Sequence, residues 1–316
     1  MIQIFRPLTY LLWFLIIIGT VVSAKPNARL KMVVLTGGHG FPRTELMSLF
    51  EGKYDYVEYN KENGTAIFDD ISNWNYDMII FHNYEQNMTQ KRMDNLLDLF
   101  YKRGIPFVIT HHAIVNYLQW PQFGKIIGAR YYLGDNQNTV GGITYPVSTF
   151  REGVTINVET VGTHPILNGI PKFFSVVDEV YGQMYFDSGS TVLLRTNNPE
   201  SDGPVAWTRQ FGKSKMFYMQ LGHSPEIYSD PTYRKLIEQG IAWASTPDII
   251  TQVISLKRTP HSLNSKTGHF FKIDGRRLFG GKSKLGDRTF HRVGKLVNES
   301  LFGSEAENLL APFPAD

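Results

Sequence analysis

KMVVLTGGHGFP, residues 31–42, decides the fold. Lys31–Thr36 is an apolar, β-branched run too short for a helix, which predicts a buried strand. Gly37-Gly38-His39-Gly40 turns the chain, and Phe41-Pro42 opens a helix with proline in its first turn and Leu46, Leu49 and Phe50 on one face. A buried strand passing through a tight glycine turn into an amphipathic helix is the building unit of a parallel α/β sheet.

The alternation continues downstream. Tyr54–Tyr59 and Asp77–Phe81 are the next predicted strands. Thr89 caps a helix with Met93, Leu96, Leu97, Phe100 and Tyr101 at helical spacing, and Gly104 stops it. Ile105–Thr110 is another buried strand, followed by a helical turn at Ala113–Leu118 and an amphipathic stretch to Ile127. Residues 130–190 are less regular, with an antiparallel excursion at Gly153–Glu159 and a turn-rich loop at Gly162–Pro171. Val205–Arg209 and Lys215–Gln220 read as a hairpin through Phe211-Gly212-Lys213. Asp230-Pro231 caps a last helix ending near Pro247. The pattern predicts an α/β fold whose largely parallel sheet carries helices on both faces.

The two ends differ from this body. Residues 1–24 hold one positive charge (Arg6), an apolar run from Pro7 to Val22 and the small residues Ser23-Ala24, which read as a signal peptide. The expected location is exported, periplasmic or extracellular, with a membrane anchor only if the leader stays uncleaved. Residues 248–316 carry a net charge of +4 and many glycines, and read as a basic, disordered extension. Residues 25–247, the expected α/β domain, carry −2, which argues against a nucleic-acid partner. The chain has no cysteine, so thiolate metal sites and a cysteine nucleophile are excluded.

Histidine placement is the strongest pointer to chemistry. His39, His82, His111, His112 and His223 each follow a predicted strand, and ligands of open α/β sheets bind at the carboxyl ends of the strands. Clustered neutral imidazoles suit zinc or another divalent metal, with His39, His112 and His223 as candidate ligands and Asp77, Asp178 and Glu179 as candidate carboxylates. A metal-free pairing of histidine with a carboxylate is the alternative. The Gly37–Gly40 turn lacks the GxGxxG spacing and the P-loop lysine, so no nucleotide cofactor is expected; its glycines allow close backbone approach to a ligand. Trp120 and Tyr181 can stack on a sugar or serve as ordinary core aromatics.

MVVLTGGHGF (32–41), HHA (111–113) with WPQF (120–123), THPIL, DEVY (178–181), the run GPVAWTRQFGKSKMFYMQLGHSPE (203–226) and GIAWA (240–244) together resemble the trehalose-utilisation (ThuA-like) family, in order from about Lys31 to Ala244. The resemblance implies a flavodoxin-like, class I glutamine amidotransferase-like three-layer sandwich. In amidotransferases a cysteine occupies the strand-to-helix elbow; here His111-His112 stand there, so glutaminase chemistry is excluded. His223 and Glu226 match that family's later histidine and glutamate with one extra residue between them.

These readings give His111, His112, His223 and Glu179 as catalytic candidates and Gly38, His39, Trp120, Tyr181 and Glu226 as substrate contacts. The resemblance further implies catabolism of trehalose, related disaccharides or their 3-keto derivatives, alongside sugar dehydrogenases, and zinc in some members. The expected activity is isomerisation or elimination–hydrolysis of a sugar; the alternative is a non-catalytic carbohydrate-binding or interaction module on the same fold.

Overall fold

The computed structural model describes residues 29–60, 64–134, 138–140 and 142–247. The expected signal peptide and basic extension lie outside the described residues. In chain order the elements are β1 (Lys31–Gly37), α1 (Arg43–Met47), β2 (Asp55–Tyr59), β3 (Met78–Asn83), α2 (Gln90–Leu97), β4 (Phe107–Thr110), α3 (Pro121–Ile127), β5 (Ala129–Arg130), β6 (Thr139–Val140), β7 (Ile143–Thr144), β8 (Thr149–Thr160), β9 (Phe173–Gly182), β10 (Tyr185–Phe186), β11 (Thr191–Thr196), β12 (Pro204–Phe211), β13 (Ser214–Met219) and α4 (Pro231–Ser245).

Nine strands form one sheet in the order β2-β1-β3-β4-β13-β12-β11-β8-β9. The first five are parallel. Their order, two-one-three-four-five in succession, is the flavodoxin-like arrangement. Alternate residues of these strands are buried on opposite faces. Met32, Val34, Ile80, Val108 and Phe217 pack with α1 and α4, while Val33, Leu35, Phe81, Ile109 and Tyr218 pack with α2, α3 and the wound turn Asp98–Arg103. Burial on both faces explains why these strands read as continuous apolar runs. The result is a three-layer sandwich, with helices on both faces of the sheet.

The helix ends follow the sequence. The Thr89 side chain accepts from the Arg92 backbone N–H, and Asp230 accepts from Thr232 and Tyr233, each satisfying donors the helix leaves unpaired. The wound turn after α2 ends at Gly104. Pro42 sits one position earlier than its reading implied, at the cap of α1.

The second half of the sheet departs further from the sequence reading. The β12–β13 hairpin forms as expected, but β12, β11, β8 and β9 are all antiparallel. The excursion expected at Gly153–Glu159 is a twelve-residue strand paired along most of its length with β9, a strand the periodicity did not reveal. The physical reason is that one face of this hairpin is exposed. Phe173, Val177 and Phe150 lie outside while Ile156, Val158, Val176 and Val180 lie in the core, so no continuous apolar run marks the strand.

Candidate active site

The carboxyl ends of β1, β3, β4 and β13 bring the histidines to one rim. His111 stands where β4 turns into the helical turn His111–Val115, and its backbone has φ +52, a left-handed conformation disfavoured for a residue with a Cβ. Such strain persists only where surrounding contacts enforce it. Here Nδ1 lies 3.0 Å from the Gln220 carbonyl and 3.1 Å from the Tyr181 hydroxyl, and the His111 carbonyl accepts from Tyr218.

β9 supplies the opposite wall. Its last residues return over the rim because the buried Asp178 carboxylate accepts the backbone N–H groups of Gly222, His223 and Ser224 at 2.7–3.0 Å. Burial raises the Asp178 carboxyl above the usual carboxylate range against these bonds. Asp178 thus orders the loop that presents His223 and is not itself among the clustered ligand atoms.

Glu179, the next residue, is the hub. Its Oε2 lies 3.2 Å from His111 Nε2, 3.3 Å from His223 Nδ1 and 3.3 Å from the Tyr181 hydroxyl. Because the Gln220 carbonyl can only accept, the hydrogen-bond network assigns the His111 proton to Nδ1. Nε2 then turns a lone pair toward a carboxyl oxygen. Two lone pairs at that distance need a proton or a cation between them. Burial pushes the Glu179 carboxyl up to about 7, with Glu152 and Asp178 adding to it, so a proton is available near neutrality. Burial drives His111 well below the ordinary imidazole value and keeps it neutral.

The three ligand atoms of His111, Glu179 and His223 all lie within 4.8 Å of one another, which fits a divalent cation. They form the one such group among the described residues.

A second set of imidazoles adjoins the first. His112 lies 4.9 Å ring-to-ring from His39 and 4.8 Å from His82. Its Nε2 donates to the His82 carbonyl, and burial, with His39 beside it, lowers it to about 3. His82 is fully buried, with Nδ1 2.7 Å from Thr110 Oγ1, whose own proton goes to the Phe81 carbonyl. His39 is exposed, with Nδ1 on the Gly40 carbonyl. Of the expected ligand set, His223 therefore stands with His111 and Glu179, and His39 with His112.

The remaining candidates are spread out. Gly38, at φ +84, comes so close to the Tyr84 carbonyl that a Cβ would lie 1.8 Å from that oxygen, so its close approach is to the chain itself. Tyr181 is in the cluster. Trp120 is buried against Tyr117 and Phe123, and Glu226 is exposed on the turn Pro225–Ser229. Asp77 accepts from the Lys31 N–H at the opposite, amino end of the sheet. His164 accepts from Ile166 N and packs on Trp243, apart from the rim.

Sequence reasoning misses Glu152, whose Oε2 lies 3.8 Å from His223 Nε2. The one signal for it was Gly153, at φ +67, since a glycine inside a strand marks a bulge. The β8–β9 register does shift between Arg151 and Val154.

A search of curated proteins finds no significant match. Among solved structures, a ThuA-like protein from Parabacteroides merdae superposes with a TM-score of 0.57 at 18% identity, covering 69% of this chain and 91% of that one. A ThuA-like protein from Bacteroides uniformis gives 0.52 at 19% identity, covering 72% and 95%. At such identities these neighbours speak to the fold. The family model described as trehalose utilisation matches residues 48–244, from the end of α1 through nearly all of α4. The chain belongs to the trehalose-utilisation (ThuA) family.

Proposed function

We propose that the chain is an exported, sugar-modifying enzyme of trehalose-type disaccharide catabolism that moves a proton beside the carbonyl of a keto sugar at the His111–Glu179–His223 cluster. Family membership supports the coarse assignment to trehalose utilisation. The observation that carries the chemistry is the Glu179 carboxyl oxygen shared by two imidazole nitrogens at 3.2 and 3.3 Å.

A carbonyl acidifies the C–H next to it, and a positioned carboxylate is the base that such a step needs. In its ionised form, which a carboxyl titrating near 7 populates at neutrality, Glu179 would take that proton while the His223 imidazole N–H gives one to the carbonyl oxygen, leaving an enediol. Return of a proton to the former carbonyl carbon, with loss of one from the neighbouring hydroxyl, completes an isomerisation. Tyr181 and Gln220 hold His111 in place for this exchange, and Asp178 holds the His223 loop. Sugar dehydrogenases of the same route would supply the keto sugar.

A metal-assisted form is the second reading, favoured by the mutual proximity of the three ligand atoms. His111, Glu179 and His223 would hold zinc or another divalent ion, which when bound supplies a Lewis acid for the sugar carbonyl oxygen.

The test is proton exchange. Incubated in D₂O with 3-keto-trehalose, the wild-type chain should incorporate deuterium at the carbon beside the carbonyl, read by NMR. Glu179→Gln should slow this by about a thousandfold while the chain stays folded, as read by circular dichroism. Sugar binding with no exchange by the wild type would replace this reading with that of a carbohydrate-binding module.

A further inference from the structure

Three exposed apolar side chains stand out on the β8–β9 hairpin: Phe173, Val177 and Phe150. Their positions differ in consequence. Phe150 pairs across the strands with Tyr181 and Val177 with Thr155, while Phe173 lies at the far end opposite Glu159. Odd-numbered residues of β9 share one face, so Val177, Glu179 and Tyr181 project to the same side, and Phe150 joins them through its pairing with Tyr181. The side chain of Phe150 is thus the direct cross-strand neighbour of the clustered Tyr181 and the diagonal neighbour of Glu179. It is nevertheless 58% exposed.

The bulge after Phe150 completes the arrangement. Bulges re-aim side chains next to functional sites. Here Arg151 is anchored to Glu200 at 3.0 Å, and Glu152, its side chain 55% exposed, turns toward His223. The register therefore puts an exposed aromatic residue two positions from an acceptor carboxylate that reaches the cluster. That combination mirrors a pyranose, which has C–H groups on its faces and hydroxyl donors around its rim. Phe173, on the same hairpin face, is further exposed but distant in register from Glu179.

We propose that Phe150 and Glu152 form a subsite for the second, non-reacting ring of a disaccharide, Phe150 stacking on its C–H face and Glu152 accepting from its hydroxyls. This rests on the reading of the cluster as a sugar site and makes a disaccharide, rather than a monosaccharide, the preferred substrate class. Phe150→Ala should raise the KM for 3-keto-trehalose about tenfold more than the KM for 3-keto-glucose. Phe150→Tyr should restore the preference, and Phe173→Ala should leave it at the wild-type ratio. Equal effects on both substrates, or an equal loss in Phe173→Ala, overturn the proposal.

Calorimetry with trehalose and glucose separates this inference from the proposed reaction. If no variant exchanges protons but Phe150→Ala still loses about tenfold in trehalose affinity relative to glucose, the subsite stands and the reaction falls. No trehalose binding by the wild type, or the same affinity ratio in wild type and Phe150→Ala, overturns the subsite.

Discussion

The parallel and antiparallel halves of the sheet contribute different chemistry to one site. β1, β3, β4 and β13 deliver imidazoles, because a parallel strand ends at the rim and its next residue faces the crevice. β8 and β9 deliver Glu152, Asp178, Glu179 and Tyr181 from within a long hairpin. The parallel half is covered on both faces and rigid by packing. The antiparallel half is covered on one face near its tip and reaches the rim through a carboxylate tied to three backbone amides. The site exists only where the halves meet, and each half is held there by a different kind of contact.

The largest expected effect comes from the parallel side of this comparison. Gly38→Ala places a Cβ against the Tyr84 carbonyl in a left-handed backbone, and should cost roughly 4 kcal/mol in urea unfolding. On the antiparallel side, Asp178→Ala leaves three amide N–H groups without their acceptor and should cost about 3 kcal/mol, with proton exchange lost as the His223 loop relaxes. A smaller loss for Gly38→Ala than for Asp178→Ala would show that the seam, and not the glycine turn, is the rigid part.

A subtler contrast lies in pH. Burial lowers His82 well below the free imidazole value, so below about pH 6.5 the unfolded chain binds more protons than the folded one and stability falls with acid. Burial raises Glu179 to about 7, so between about pH 4.5 and 7 the folded chain binds more protons and stability falls as pH rises. His82→Gln should therefore flatten the acid side of a stability–pH curve and Glu179→Gln the side approaching neutrality. Each substitution should change the local slope by at most about 1.4 kcal/mol per pH unit, the value for a single proton. Matching slopes in both variants would mean that the two halves do not titrate with opposite sign.

Much of the parallel half was legible. Short β-branched runs, Thr89, Gly104 and Asp230-Pro231 mark strands and helix ends through local chemistry that needs no partner, and five histidines could be placed after strands for the same reason. The hairpin was harder to read. β9 alternates in burial only at its start and is wholly buried from Asp178 to Gly182, so its last residues look like neither a surface strand nor a core run. Glu152 gave no signal of its own, because its role depends on a bulge and on a histidine 71 positions later.

The sequence alone determined the strand–turn–helix grammar, the absence of a thiol nucleophile and the family, since propensity, capping and motif order are local properties of the chain. Tertiary structure decided which histidines share a carboxylate. His111 and His112 are adjacent in sequence, yet the left-handed turn at His111 sends one ring to Glu179 and the other to His39 and His82. That partition is set by a backbone angle and by a strand returning from the far side of the sheet, and neither is written in residue order.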